Sequence, residues 1–299
     1  MLSISTITIL CFIFGSIIGS FLGVCAYRIP MGRYEPVHAG VRELAHQISI
    51  TNPRRSFCPQ CEKQLLWWHN IPLLSWLFLR GRSACCGTQI PFRYLFIELL
   101  TGALCAACYL KFGLNISAGV AFIVICALIV ILYIDLDYMI IPDLITYPGT
   151  FLALCLAATN SWSLSRGDLL LTAPFVSSLT EAGLGLLMGP GVLLFVWGLY
   201  WLVRRREGLG LGDVKLLALL GATFGAKCAW FTIFIGSVLG SIFGITAIVL
   251  KRRKMTNYIP FGPYLVAAAL IYILELDQLV LHLIYHQGLS PWRMLNGNS

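Results

Sequence analysis

Two stretches hold the residues best suited to do chemistry: Asp135-Leu136-Asp137-Tyr138-Met139-Ile140-Ile141-Pro142-Asp143 and Gly208-Leu209-Gly210-Leu211-Gly212-Asp213. Each sets carboxylates at the edge of a long apolar segment, where a charge is expensive to hold and marks a functional site. If the fold brings Asp135 and Asp213 together, desolvation and mutual repulsion make the pair share one proton. The ionised partner can then take a proton from water while the protonated partner polarises a carbonyl, which is the chemistry of amide hydrolysis. The glycines before Asp213 let an extended backbone approach and let the chain turn sharply into a helix, where the dipole favours a negative charge. Gly-x-Gly-Asp is a short pattern, however, and Asp213 taken alone also reads as a helix cap.

The neighbouring acids have simpler readings. Asp143 follows Pro142 at the start of an apolar segment and reads as a helix cap. Asp137 lies two positions from Asp135, faces elsewhere on a helix, and is expected at a solvated interface. Glu98 either neutralises a helix N-terminus or serves a site.

A second constellation is Cys58-Pro59-Gln60-Cys61 followed by Cys85-Cys86-Gly87. Two closely spaced thiolates on each of two turns suit a tetrahedral zinc ion. Cys58, Cys61, Cys85 and Cys86 are the expected ligands, with His69 as a lesser substitute for the fourth. The alternative is a reduced loop with incidental thiols. Cys105-Ala106-Ala107-Cys108 repeats the spacing inside an apolar segment and reads as small packing residues. Cys126, Cys155 and Cys228 read as small membrane-buried hydrophobes.

The elements that must position these groups are membrane helices. The chain of 299 residues is 58% apolar and 11% charged, with a mean hydropathy of +0.82, far from the roughly 25% charged residues of a soluble domain. The expected fold is an all-α polytopic membrane protein of about eight transmembrane helices, near 7–24, 94–110, 117–134, 144–158, 184–203, 214–225, 228–250 and 261–281. The domain reading is a first transmembrane helix (1–24), a cytoplasmic zinc-ribbon-like insertion (25–93), a helix bundle (94–281) and a C-terminal tail (282–299). The outer loop at 159–183 is polar and suggests no chemistry. No basic residue precedes the first apolar run, so it reads as a retained helix rather than a cleaved signal. The +8 net charge reflects basic loops rather than nucleic-acid binding.

Lys and Arg gather on cytoplasmic loops, and here they alternate. The loop after the first span carries Arg28, Arg33, Arg42, Arg54, Arg55, Lys63, Arg80, Arg82 and Arg93, the loop after the fifth Arg204 to Arg206, and the loop after the seventh Lys251 to Lys254. Both termini are therefore expected outside, and both Asp135 and Asp213 at the cytoplasmic ends of their helices.

Six ordered landmarks make the chain resemble the type IV prepilin peptidases, the Gly-x-Gly-Asp class of membrane aspartic proteases. They are Gly19 through Pro30; Asn70 through Trp76; Arg93-Tyr94 through Glu98 to Gly102; Asp135 through Asp143; Gly210 through Lys215; and Ile259-Pro260-Phe261-Gly262-Pro263-Tyr264. The resemblance covers nearly the whole chain and implies that Asp135 and Asp213 are the catalytic pair. It implies cleavage of the basic leader from type IV prepilins and type II secretion pseudopilins at the cytoplasmic face of the bacterial inner membrane. It implies N-methylation of the new N-terminus with S-adenosylmethionine, with the region 25–93 as contributor. Many members of this class carry two Cys-x-x-Cys pairs, whereas here Ser83 stands three before Cys86 and the extra thiol is Cys85.

Two other classes of function compete. A proton-coupled transporter would use membrane carboxylates as a relay, with acids near the midplane and matching halves. A non-catalytic assembly factor would use the cysteine loop to dock a partner.

Overall fold

The computed structural model describes residues 4–31, 58, 60, 61, 63–166, 170–172, 174–205, 210–250 and 260–274. The tail from 282, Lys251 to Lys254, Gly208, Leu209 and most of the first basic loop lie outside the described residues. Among the described residues the regular structure is helical: α1 (Ile4–Met31), a 3-10 turn (Trp67–Asn70), α2 (Leu74–Phe78), α3 (Phe92–Phe112), α4 (Ile116–Tyr138), α5 (Asp143–Leu164), α6 (Leu179–Arg204), α7 (Leu211–Val249) and α8 (Gly262–Leu274). Five of these, α1, α3, α4, α6 and α7, are long and apolar enough to cross a membrane.

In lipid, helices do not associate by hydrophobic burial, so small residues that let backbones approach decide the pairs. A methyl group on Gly15 of α1 would fall 2.5 Å from the Cys105 Cβ of α3, and one on Gly19 2.8 Å from the Glu98 Cα. The Cys105 pair is thus packing material, as its apolar setting suggests. Cys228 is wholly buried, whereas Cys155 is exposed on the outer face of α5. Gly185 of α6 and Gly221 of α7 meet backbone to backbone, each lying where the other's side chain would be.

α7 consists of two helices joined at Gly225, whose φ of 82° and ψ of 179° are non-helical. In a straight helix Gly212 and Gly240 would stand roughly 40 Å apart at 1.5 Å per residue. Instead, Gly212 packs on Ile141, Ile141 packs on Gly262, and Gly240 packs on Tyr264, two residues into α8. The two arms, 211–224 and 226–249, therefore double back at Gly225. Gly212 of the first arm and Gly240 of the second thus both lie close to the start of α8.

α4 ends where Met139 adopts a left-handed conformation (φ 56°, ψ 40°) and donates its N–H to the Asp135 carbonyl at 2.9 Å. Such a residue closes a helix by satisfying an orphan carbonyl. Pro142 then fixes an extended link into α5, so Ile141 is held in a short turn directly after the helix that carries Asp135.

At the opposite end of α5, Asn160 has no exposed surface and organises the polar connection to α6. Its side chain accepts the Leu171 N–H at 2.9 Å and donates to the carbonyls of Val176 at 2.8 Å and Leu171 at 3.3 Å. Asn160→Leu would strand three buried backbone groups, at a cost of at least about 2 kcal/mol. The expected result is a lower unfolding temperature in detergent, with the helices of the bundle otherwise retained.

Candidate active site

Asp135 sits in the last turn of α4 and is 5% exposed; Asp213 sits in the first turn of α7 and is 8% exposed. The fold brings them together. Ile141 is the pivot, because a methyl group on Gly212 would lie 3.0 Å from its Cβ and one on Gly262 3.4 Å from its Cδ1. The two carboxyl groups are close enough for the charge of Asp135 to act on Asp213. Oδ2 of Asp135 is the buried side-chain polar atom without a hydrogen-bond partner among the described residues. An orphaned buried oxygen of this kind is costly and recurs where a group is kept ready for a reaction.

Gly212 also serves packing. Gly212 has no side chain because the α4–α5 turn packs there, and Gly210 lies 3.6 Å from Asp213 Oδ2 when given a methyl group. Gly262, at the start of α8, carries no role in the sequence reading, yet a methyl group there would fall 2.6 Å from Asp135 Oδ2. A glycine between two prolines at the entry to a helix is the signal that could have found it.

The other acids are tied to cations. Asp143 does not occupy the cap position, which belongs to Pro142; its carboxylate instead accepts from Lys215 Nζ at 2.6 Å. That bond joins the first turn of α5 to the first turn of α7, two residues past Asp213. Asp137 accepts from Arg93 Nη1 at 2.7 Å with both side chains about two-fifths exposed, a partner the sequence did not suggest. Glu98 lies a turn inside α3, where its Oε2 accepts the N–H of Leu73 at 2.7 Å.

The four cysteines converge. The Sγ atoms of Cys58, Cys61, Cys85 and Cys86 all lie within 4.8 Å of one another, with Cys58 to Cys86 at 3.6 Å, Cys61 to Cys85 at 3.1 Å and Cys85 to Cys86 at 3.9 Å. Tetrahedral zinc with bonds near 2.3 Å would set sulfurs roughly 3.8 Å apart. The neighbouring Cys85 and Cys86 thus both reach the centre, because the turn closed by the Gly87 N–H on the Ser83 carbonyl at 2.8 Å curls them inward. Burial pushes the Cys58 thiol up, but hydrogen bonds from the Cys61 and Gln60 backbone and from Ser83 outweigh it and hold Cys58 at about 6. Cys61 is pushed up to about 12, chiefly by its hydrogen bond with Cys85. His69 stands apart from the cluster, edge-on to Trp68 with ring centroids 5.9 Å apart.

The pattern described as the Bacterial Peptidase A24 N-terminal domain matches residues 13–112, and that of the Type IV leader peptidase family matches residues 122–245. Proteins named prepilin leader peptidase/N-methyltransferase are similar throughout. The one from Aeromonas hydrophila is 35% identical over 286 residues, covering 90% of this chain and 91% of its own. Those of Stutzerimonas stutzeri and Xanthomonas campestris are 33% and 35% identical, covering 89% and 85% of this chain and 90% and 86% of their own. The chain belongs to the type IV leader peptidase family. No solved structure matches it. As a member of that family with five helices fit to cross a bilayer, it is a multi-pass membrane protein. The transport reading is not favoured.

Proposed function

We propose that the protein cleaves leader peptides from type IV prepilins and type II secretion pseudopilins and then N-methylates the new N-terminus with S-adenosylmethionine. The observation that carries the hydrolytic half is the convergence of Asp135 and Asp213 about Ile141, with Asp135 Oδ2 left unpaired. One aspartate takes a proton from water, and the other donates a hydrogen bond to the scissile carbonyl. The names of the relatives support the methylating half.

In this reading the chain crosses the bacterial inner membrane eight times, with the two arms of α7 as separate crossings. Both termini are periplasmic, and the acids lie at the cytoplasmic face. The alternation of basic loops supports this orientation. So does the charge at one end of the bundle, where Arg93 and Lys215 pair with Asp137 and Asp143. A prepilin would lay its apolar helix in the lipid, so that the membrane sets the height at which its leader junction meets the aspartates. Cleavage of a synthetic prepilin in detergent, with and without S-adenosylmethionine, tests both halves. Uncleaved prepilin would reject the first, and cleaved but unmethylated product the second.

Cys58, Cys61, Cys85 and Cys86 would hold a structural zinc ion, since four thiols at near-tetrahedral spacing suit no other common role as well. The ion would fix the insertion against α1 and α3 and take no part in the chemistry. Changing Cys58 and Cys61 to Ser is expected to lower the zinc content from about one per chain to near zero, with elemental analysis of purified protein as the measurement. Metal retained at one per chain would overturn the ligand set.

A further inference from the structure

A cavity of about 600 Å³ lies away from the aspartates, between α1, α3 and the insertion. This is the size of a cofactor or drug-sized site. Its walls include Ser20, Tyr27, Arg28, His69, Trp76 and Glu98. Every residue lining it falls within the N-terminal pattern at 13–112, and none within the leader-peptidase pattern at 122–245 that holds both aspartates.

We propose that this cavity is the methyl-transfer site, with Glu98 the base that takes the proton from the pilin's new α-ammonium group. The proposal rests on the two-activity reading above. A sulfonium donor is a permanent cation attached to an adenosyl group. It needs a carboxylate and electron-rich ring faces near the sulfonium, aromatic surface for the base and a fixed cation for its amino-acid carboxylate. The cavity offers all three in Glu98, in the rings of Tyr27, Tyr94 and Trp76, and in Arg28, which is 5% exposed.

Two details single out Glu98. Leu73 holds a left-handed φ of 61°, a strained conformation for a branched residue, and donates its N–H to Glu98 Oε2 at 2.7 Å. Ser20 hydrogen-bonds to the same carboxylate from α1. The insertion, α1 and α3 are thus locked around one acid on the cavity wall. Arg93, also on that wall, bonds to Asp137 at 2.7 Å, which lies two residues past Asp135. That pair ties the wall of the cavity to the last turn of α4, which carries both Asp135 and Asp137.

In the transfer, the ammonium first gives a proton to Glu98. The freed nitrogen lone pair forms the new N–CH3 bond as the C–S bond breaks, and that bonding pair stays on sulfur as a neutral thioether. Glu98 then passes its proton to water.

The alternative is that Glu98 merely anchors Leu73. Glu98→Gln separates the two roles, because the amide oxygen still accepts the Leu73 N–H but the side chain takes up no proton. With full-length protein and a pilin supplied without its leader, Glu98→Gln is expected to lower methylation about 100-fold. Glu98→Asp should restore part of it. Methylation by Glu98→Gln at the normal rate would overturn the role of the base.

Val24→Phe and Ser75→Phe fill the cavity from α1 and α2 respectively, and Val24 and Ser75 both line it. Each is expected to weaken equilibrium binding of S-adenosylhomocysteine at least about tenfold, in keeping with a lost pocket. Leader cleavage by the same preparation reports that the variant is folded, and either folded variant decides the matter. Unchanged binding in a folded variant would overturn the site. Cleavage without any methylation by the unaltered protein would instead remove the two-activity reading, and this proposal with it.

Discussion

Replacing either Asp135 or Asp213 by Asn is expected to lower leader cleavage on the order of 10³-fold or more, as loss of a proton-transfer group does. The change keeps shape and volume but leaves no group to share the proton. The double variant should lose no more than the worse single one, because the two act as a unit. Folding should survive, since Asp135 Oδ2 holds nothing in place and both side chains are almost wholly buried. Removing a buried, poorly compensated charge costs nothing and can raise the unfolding temperature. Neither aspartate lines the cavity between α1 and α3, so methylation of a pilin supplied without its leader should persist. Full processing by either single variant would reject the pair, and equal loss of both activities would argue for misfolding.

What the sequence made legible follows from how strong each physical signal is. A charge at the end of an apolar run is conspicuous, so Asp135 and Asp213 stand out before any fold is known. Helix positions were legible for the same reason, including the break at Gly225 between two apolar runs. The pivot was not legible. Ile141 is one isoleucine among many, and only its contacts with Gly212 and Gly262 show that it joins the two halves of the site. Asp143 illustrates another limit. Its place after Pro142 suggests a cap, but the tertiary approach of Lys215 gives the carboxylate a better partner than the N-terminal amides of its own helix. Asn160 was hidden because a buried amide that ties down a loop leaves no periodic trace. For Cys85, the sequence shows only a thiol out of step with the usual Cys-x-x-Cys pair, since Ser83 stands three before Cys86. The turn that curls both thiols inward depends on the Gly87 N–H reaching back to Ser83, a backbone feature that thiol spacing does not encode.

Gly262→Ala is expected to lower the turnover number for leader cleavage about 100-fold, the cost of a displacement near 1 Å in a reacting group. The added methyl would lie 2.6 Å from Asp135 Oδ2, 3.1 Å from its Cγ and 3.4 Å from Ile141 Cδ1. Asp135 therefore cannot simply lean toward Ile141; either its carboxyl rotates out of line with Asp213 or the start of α8 is pushed away. Both outcomes separate the pair, while the surface that receives the pilin's apolar helix is unchanged, so KM should move far less than turnover. Gly119→Ala on α4, the helix that carries Asp135, is the matched control because a methyl group there meets nothing within 4 Å. It should be neutral, or slightly stabilising through helix propensity. Methylation of a pilin without its leader separates a local from a global cause, since Gly262 does not line the cavity against α1 and α3. Normal turnover in Gly262→Ala would mean that Asp135 acts from a position other than the one it holds beside α8. The convergence about Ile141 would then describe a resting arrangement rather than the reacting one.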